Sequence, residues 1–196
     1  MNYIRIKDAI QQSINLKTEI LTNESYLEII SSIVEVIIKT FKGGGKVLFC
    51  GNGGSAADAQ HLAAELSGKF YFDRPPLPSE ALHVNTSFLT AVANDYSFEQ
   101  VYSRMIKAIG NKGDVLIGIS TSGNSVNIIN ALIAAREKNM ITIGFTGETG
   151  GEMKNLCNYI ICVPSLDTPR IQEVHIMIGH IICELTEKAL FGNINH

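Results

Sequence analysis

Two side chains of the kind used in proton-transfer chemistry lie one helical turn apart in the sequence. His61 and Glu65 are separated by four positions within an alanine-rich segment. If that segment is helical, the imidazole and the carboxylate share one helix face. Histidine and glutamate also fall at this spacing by chance on solvated helix faces. The pair is therefore a candidate site only if other residues converge on it.

A candidate anion-binding corner precedes this pair. The apolar run Val47–Cys50 predicts a buried strand, and it breaks into Gly51-Asn52-Gly53-Gly54 before Ser55, which we expect to cap the following helix. Glycines let the backbone approach a ligand closely, and the free N–H groups at a helix N-terminus favour phosphate. The acid–base candidates would thus project not far from a bound anion.

A second polar loop follows another apolar run. Ser120-Thr121-Ser122-Gly123-Asn124-Ser125 offers four hydroxyl groups at a strand-to-helix turn. Hydroxyls and amides suit a phosphate that must be released, because they bind it without a lysine. The loop is equally consistent with an ordinary serine-rich turn. It lacks the Gly-Lys-Ser/Thr of a P-loop, and Gly51–Gly54 does not complete a dinucleotide-binding GxGxxG.

The last predicted helix carries a third group of candidates. A threonine and a proline start it at Thr168-Pro169, and His180 lies within its apolar run. A histidine in such a run is commonly a satisfied core residue. Gln172 lies within about 80° of His180 around the helix but about 12 Å away along it. Both side chains would have to stretch to reach one point, which leaves room for a second chain to contribute.

The pattern of apolar runs predicts the elements that position these residues. Near-continuously apolar strands alternate with helices, which favours a parallel sheet covered on both faces, with ligands beyond the carboxyl ends of the strands. The predicted strands are Lys46–Cys50, Ala81–Val84, Val115–Ile119, Ile141–Phe145 and Tyr159–Val163. The predicted helices are Ser55–Ser67, Ser87–Ala93, Phe98–Ile109, Ser125–Lys138, a short one near Glu152–Leu156, and Pro169–Leu190. A further polar loop, Asn94-Asp95, is predicted after the second strand, across one short helix.

The first forty residues have apolar positions at helical spacing, interrupted at Thr22-Asn23-Glu24-Ser25. We expect two helices there. The second is apolar on more than one face, so it needs a partner, and a second copy of the chain is the simplest one. Residues 1–196 are thus interpreted as a single domain, with a helical oligomerisation segment over residues 1–42 and an α/β core over residues 43–196.

The composition is that of an ordinary globular protein. The 196 residues are 45% hydrophobic and 18% charged, with a net charge of −3. Nothing in this balance indicates nucleic acid or a membrane surface as a partner. No apolar run approaches the roughly 20 residues of a membrane span, and Met1–Asp8 lacks the core of a signal peptide, so we expect a cytoplasmic location. The four cysteines form no CxxC pair and are expected to be reduced thiols.

Four stretches together resemble the sugar isomerase (SIS) domain, and within it the phosphoheptose isomerases. They are Asn52–Glu65, Ala91–Asp95, Ser120–Ser125 and Arg170–His175. The resemblance covers essentially the whole chain and implies a three-layer αβα sandwich with a five-stranded parallel, flavodoxin-like sheet. It also implies a homotetramer that interconverts D-sedoheptulose 7-phosphate and D-glycero-D-manno-heptose 7-phosphate, on the route to the heptose of lipopolysaccharide or capsule.

The resemblance also implies roles for individual residues. One Zn²⁺ per subunit would be bound by His61, Glu65, Gln172 and His180. Phosphate would be bound by Ser120, Thr121, Ser122 and Ser125. The sugar hydroxyls would be bound by Asn52, Gly53, Gly54, Asn94 and Asp95, and Ser55, Glu65 and Gln172 would also contact the substrate. Because isomerisation through an enediol needs a base at carbon and an acid at oxygen, we assign Glu65 to abstract the proton and His180 to shuttle the oxygen proton.

Two positions depart from the family pattern, and other functions stay open. Pro169 stands where many members have an acidic residue, and Lys69 stands where many have arginine. The segment Thr168–His175 also resembles a tetrameric SIS relative that binds the DnaA replication initiator and is not known as an isomerase. His180, which that relative lacks, favours the enzyme. An isomerase for another ketose phosphate is a third interpretation.

Overall fold

The computed structural model describes residues 2–192, in which five strands lie between two layers of helices. The strands are β1 (Val47–Gly51), β2 (Ser79–Ala81), β3 (Val115–Ile119), β4 (Ile141–Thr146) and β5 (Tyr159–Cys162). The α-helices are α1 (Asn2–Thr22), α2 (Glu24–Lys42), α3 (Gly54–Ser67), α4 (Thr86–Asp95), α5 (Val101–Ile109), α6 (Val126–Glu137) and α7 (Thr168–Phe191). Short 3₁₀ helices occupy Phe98–Gln100 and Glu152–Asn155.

The sheet is parallel throughout, with strand order β2-β1-β3-β4-β5. Strand β2 pairs with one edge of β1, and β3, the next strand in the chain, pairs with the other edge of β1. Gly51 at the end of β1 pairs with Ile119 at the end of β3. The glycine loop and the serine loop therefore leave the sheet side by side, at the point where the strand order reverses and ligands bind in such sheets.

Side chains of β1 alternate between two apolar cores. Val47 and Phe49 join the core formed with α2, α3 and α7, whereas Leu48 and Cys50 join the core formed with α5 and α6. Every residue of β1 is buried, as expected for a strand covered on both faces. The predicted three-layer αβα sandwich with a five-stranded parallel sheet is confirmed.

The predicted break in the N-terminal helices is confirmed, and Asn23 explains it. Asn23 is the N-cap of α2, and its side chain accepts a hydrogen bond from the backbone N–H of Ser25. A side chain that replaces a missing helical partner ends one helix and starts the next. Much of α1 remains exposed, including Tyr3, Ile6, Ile10 and Ile14, so its proposed role in oligomerisation stays a prediction.

Three local predictions are wrong. Helix α3 begins at Gly54 with Gly53 at its N-cap, so Ser55 lies inside the first turn and does not cap it. Strand β2 lies at Ser79–Ala81 rather than Ala81–Val84, because Val47 pairs with Ser79 in the sheet. Asn94 and Asp95 belong to the last turn of α4 and not to a loop.

All four cysteines are free thiols, as predicted. Within residues 2–192, no helix combines the length and apolar character needed to cross a membrane.

Candidate active site

Two side chains, those of His180 and Glu65, converge on one atom, His61 Nε2. The Nε2 atom of His180 lies 2.8 Å from it, and Glu65 Oε1 lies 3.5 Å from it. The two imidazole rings meet edge to face, with centroids 5.0 Å apart. His61 and Glu65 are 47% and 24% exposed, respectively. The i, i+4 pair on α3 and the histidine on α7 are therefore close enough to act on the same small molecule.

Close contact between α3 and α7 produces this convergence. A Cβ at Gly54 would lie 2.6 Å from the Gln172 amide nitrogen, and a Cβ at Gly179 would lie 2.5 Å from a Leu62 methyl. A side chain at either position would displace Gln172 or Leu62 or push the helices apart, so glycine permits their close approach. Because Gly54 faces Gln172 and Leu62 faces Gly179, the helices run in the same direction. His180 follows Gly179 and therefore arrives beside His61.

A cavity of about 220 Å³ lies at the carboxyl ends of β1 and β3. It is lined by Asn52, Ser55, Ile119, Ser120, Thr121, Ser122, Ser125, Thr168 and Gln172. None of these side chains carries an ionisable group. Asn52 and Gln172 have amides, Ile119 is apolar, and the other six residues have hydroxyls. We call it the hydroxyl cavity. An anion bound there would be met by neutral donors beside the N-termini of α3 and α6, whose dipoles favour negative charge.

Hydrogen bonds organise the serine loop around Ser120. The Ser120 hydroxyl lies 2.9 Å from that of Ser125 and 3.4 Å from that of Ser122. The Ser122 hydroxyl also accepts a bond from the backbone N–H of Asn124. Three hydroxyls thus lie around one point, where each can rotate its hydrogen toward a ligand.

Asn127 and Tyr102 support the cavity, and sequence reasoning missed both. The side-chain amides of Asn127 and Asn52 exchange two hydrogen bonds of 2.9 Å, which ties α6 to the glycine loop. Tyr102 on α5 donates a 2.6 Å bond to the carbonyl of Gly51. Burial raises the pKa of Tyr102, so it remains a neutral donor. Neither residue belongs to a spacing pattern, because their partners lie far away in the sequence.

Asp58 is a further titratable group beside the cluster, one turn before His61 on α3. Its Oδ2 atom is buried and has no hydrogen-bond partner among the described residues. Burial raises the pKa of this carboxyl group, and the nearby His61 opposes that shift. Asp58 therefore holds its proton more readily than an exposed aspartate does.

Several residues predicted to bind the metal or the sugar lie outside the histidine cluster. Gln172 lies against Gly54 and lines the hydroxyl cavity, apart from the histidine cluster on the next turns of α7. Asn94 and Asp95 are exposed, and the Asn94 amide donates to the Asp95 carboxylate at 2.9 Å. Gly53 is exposed at the start of α3, with a φ of +55°. The assignment of these residues to sugar binding stays a prediction.

His61, His180 and Glu65 have the donor atoms that zinc prefers, but their positions do not form a zinc-binding geometry. Two imidazoles and a carboxylate are ligands that Zn²⁺ prefers. Across residues 2–192, however, no three His, Cys, Asp or Glu side chains are arranged to hold a metal ion. The Nε2 atoms of His61 and His180 are 2.8 Å apart, whereas two nitrogens on a tetrahedral zinc are about 3.3 Å apart, given Zn–N of about 2.05 Å. A bound ion would require the rings to separate by roughly half an ångström.

The parallel sheet, the polar cavity at its carboxyl edge and the acid–base cluster beside it define a class of α/β proteins. Residues 10–147 match the SIS domain family, and the chain belongs to that family.

Similar proteins narrow the class. The phosphoheptose isomerase of Clostridium acetobutylicum is 57% identical over 187 residues, which are 95% of each chain. That of Aneurinibacillus thermoaerophilus is 56% identical over 188 residues, covering 96% of this chain and 95% of the relative. The structure of phosphoheptose isomerase GmhA from Neisseria gonorrhoeae superimposes with a TM-score of 0.90 at 40% identity, covering 96% of this chain and all of that one. Within the SIS family, the chain therefore groups with the phosphoheptose isomerases.

Proposed function

We propose that this chain is an aldose–ketose isomerase that interconverts D-sedoheptulose 7-phosphate and D-glycero-D-manno-heptose 7-phosphate. The observation that carries the proposal is the convergence of Glu65 and His180 on His61 Nε2, beside a cavity of neutral phosphate donors. High identity to phosphoheptose isomerases over nearly the whole chain supports the same substrate. The relatives do not favour the alternative of a tetramer that binds DnaA.

The distance between the two groups of residues suits a long substrate. His61 follows Gly54 by seven residues on α3, which corresponds to about 10 Å along the helix axis. This is comparable with the length of an extended seven-carbon sugar phosphate. The phosphate would bind in the hydroxyl cavity, and the carbonyl end would lie beside His61, Glu65 and His180.

In the proposed mechanism, Glu65 removes a proton from C1 of the open-chain ketose while His180 protonates the carbonyl oxygen at C2. One proton leaves carbon and one is added to oxygen, so the enediol has the same composition as the ketose. Glu65 then returns a proton to C2, and His180 takes the proton from the oxygen on C1, which gives the aldose. Such positioned general acids and bases accelerate proton transfer by about 10²–10⁴-fold each.

We propose that His61, Glu65, Gln172 and His180 hold one Zn²⁺, which would supply a Lewis acid for the sugar carbonyl. To join this set, Gln172 would have to turn from the hydroxyl cavity toward the histidine cluster. A carboxylate bound to zinc is a weaker base, so Glu65 would have to loosen its contact with the ion to remove a proton. A homotetramer, a cytoplasmic location and a supply of heptose to lipopolysaccharide or capsule complete the proposal. The resemblance alone supports these finer points.

The test is to measure aldose formation from sedoheptulose 7-phosphate with Glu65→Gln and His180→Gln variants. We expect kcat to fall by about 10²-fold or more in each, because each lacks one proton-transfer group. Gln60→Ala, an exposed position on α3, is the matched control and should retain activity. Substantial turnover in both active-site variants would refute the assigned roles.

Metal dependence is measured separately. Activity should fall after chelation and return with added Zn²⁺, and the purified protein should contain about one zinc per subunit. Full activity of protein shown to be free of metal would rule out the zinc assignment.

A further inference from the structure

A buried ion pair lies behind the acid–base cluster and joins two distant parts of the chain. Arg74 Nε donates to Glu187 Oε1 at 2.8 Å, and the two side chains are 0% and 1% exposed. Arg74 lies in the connection between α3 and β2, whereas Glu187 lies in the last turns of α7. The pair therefore ties this connection to the helix that carries His180.

Glu187 also organises the chain that precedes Arg74. Its carboxylate accepts backbone N–H bonds from Phe70 at 2.8 Å, Tyr71 at 2.6 Å and Phe72 at 3.1 Å. Burial by itself would raise the pKa of Glu187, but these donors and Arg74 outweigh burial and lower it. Glu187 is therefore an ionised carboxylate around which the segment 70–72 is wrapped.

The remaining donors of Arg74 bind the end of α3. Its Nη2 donates to the carbonyl of Glu65 at 3.0 Å, and its Nη1 donates to that of Leu66 at 2.9 Å and to that of Gly68 at 3.1 Å. Carbonyls in the last turn of a helix lack helical partners, and a cation there is favourable. Arg74 thus fixes the turn from which the Glu65 side chain projects.

The same pair acts on His180 through Phe70. The ring centroid of Phe70 lies 5.8 Å from that of His180, and the backbone N–H of Phe70 is bound by Glu187. Phe70 is thereby kept against one side of the His180 imidazole. One ionic cluster consequently binds the backbone of Glu65 and the backbone of Phe70, whose ring packs on His180.

We propose that Arg74 and Glu187 are positioning residues that set the geometry of Glu65 relative to His180; this inference rests on the proposed isomerase function. Stability alone is a poor reason for such a pair, since well-packed apolar side chains often stabilise a core as much as a buried ion pair does. Apolar side chains cannot supply directional bonds to the backbones of Glu65 and Phe70. Misplacement of a reacting group by about 1 Å can cost about 10²-fold in rate.

The main variant is Glu187→Gln, which removes the charge but keeps the shape of the side chain. We expect kcat for the isomerisation to fall about 10- to 100-fold, with KM changed by less than about threefold because neither residue lines the hydroxyl cavity. Arg74→Lys is the second variant. Lysine retains the charge beside Glu187 but lacks the planar fork that reaches several carbonyls, so it should fold and show the same loss of kcat.

Asp114→Asn is the matched control. Asp114 is 3% exposed and pairs with Lys46 at 2.7 Å, and it accepts N–H bonds from Lys46 and Asn111. It therefore resembles Glu187 in burial and bonding but lies at the amino end of β3, away from the site. We expect Asp114→Asn to lower the free energy of unfolding as Glu187→Gln does and to leave kcat unchanged. Equal values of kcat for the two variants, both measured well below their unfolding temperatures, would overturn the proposal.

A second readout does not depend on catalysis. The NMR signals of the His180 ring protons, assigned by their loss in His180→Gln, report the position of the Phe70 ring. They should shift in Glu187→Gln and Arg74→Lys but not in Asp114→Asn. If the wild-type protein fails to isomerise sedoheptulose 7-phosphate while these shifts occur, the proposed function fails and the positioning role stands. Unchanged signals in both positioning variants would refute that role directly.

Discussion

The short contact between His61 and His180 constrains the protons of both rings. Two Nε2 atoms at 2.8 Å repel one another if both present lone pairs, so one ring donates its proton while the other accepts. A cation between them would instead require both lone pairs to face it. The proposed zinc would therefore displace the proton that the two rings share.

His175 gives a prediction for the pH dependence of stability. It is fully buried on α7, and its Nε2 lies 3.1 Å from the Thr146 carbonyl. Burial lowers the pKa of His175 to about 4, although the bond to Thr146 opposes the shift. Between pH 6.5 and 4 the unfolded chain therefore binds a proton that the folded chain does not. The free energy of unfolding should fall as the pH drops through this window, by up to about 3 kcal/mol.

The measurement is urea unfolding of the wild type and of His175→Gln between pH 7.5 and 5, above the range in which Glu187 titrates. The variant should lose most of the slope. Some slope should persist, because burial also lowers the pKa of His83. Identical slopes for the two proteins would contradict the assignment to His175.

For individual residues, the sequence predicts those that share a local pattern. The four-residue spacing of His61 and Glu65 predicted a common helix face, and the structure has it. By contrast, Asn127 binds Asn52 across 75 positions, and Arg74 and Glu187 bind one another across 113 positions. No local spacing marks them, so only the folded chain reveals their roles.

Among the elements, burial decides how well the sequence predicts a strand. Strand β3 has the predicted bounds, Val115–Ile119, because all its residues are buried and apolar. Strand β2 is three residues long and includes the exposed Glu80, so its apolar content does not define it. The position of β2 is set by its pairing with β1. The apolar pattern of Ala81–Val84 carries no information about that pairing.

The serine loop after β3 gives a prediction at the level of an element. Ser120→Ala removes the hydroxyl that contacts Ser122 and Ser125, and a hydrogen bond to a charged group contributes about 1.5–3 kcal/mol. We expect KM for sedoheptulose 7-phosphate to rise about 10- to 100-fold, with a smaller change in kcat, in steady-state kinetics. Ser103→Ala is the control, since Ser103 is similarly buried on α5 but, within residues 2–192, its hydroxyl bonds the Gln100 carbonyl rather than another side chain. An unchanged KM in Ser120→Ala would exclude this loop from phosphate binding.

For the whole molecule, the exposed face of α1 predicts assembly. Ile10 and Ile14 are 56% and 50% exposed, and they continue a stripe with Tyr3 and Ile6. A contiguous apolar stripe on a folded chain is typical of an interface. The double variant Ile10→Asp/Ile14→Asp should shift the mass from about four chains to fewer in size-exclusion chromatography with light scattering, while circular dichroism stays the same. Gln11→Glu on the same helix is the control, and a monomeric wild type would refute the prediction.

The packing of Leu62 against Gly179 has a consequence for substitution at position 179. A Cβ there would lie 2.5 Å from a Leu62 methyl, so even alanine would force the leucine side chain or the two helices to shift. Because His180 is the next residue on α7, a shift of the helix would move its ring relative to Glu65. The distance between the acid and the base thus depends on a position that carries no side chain.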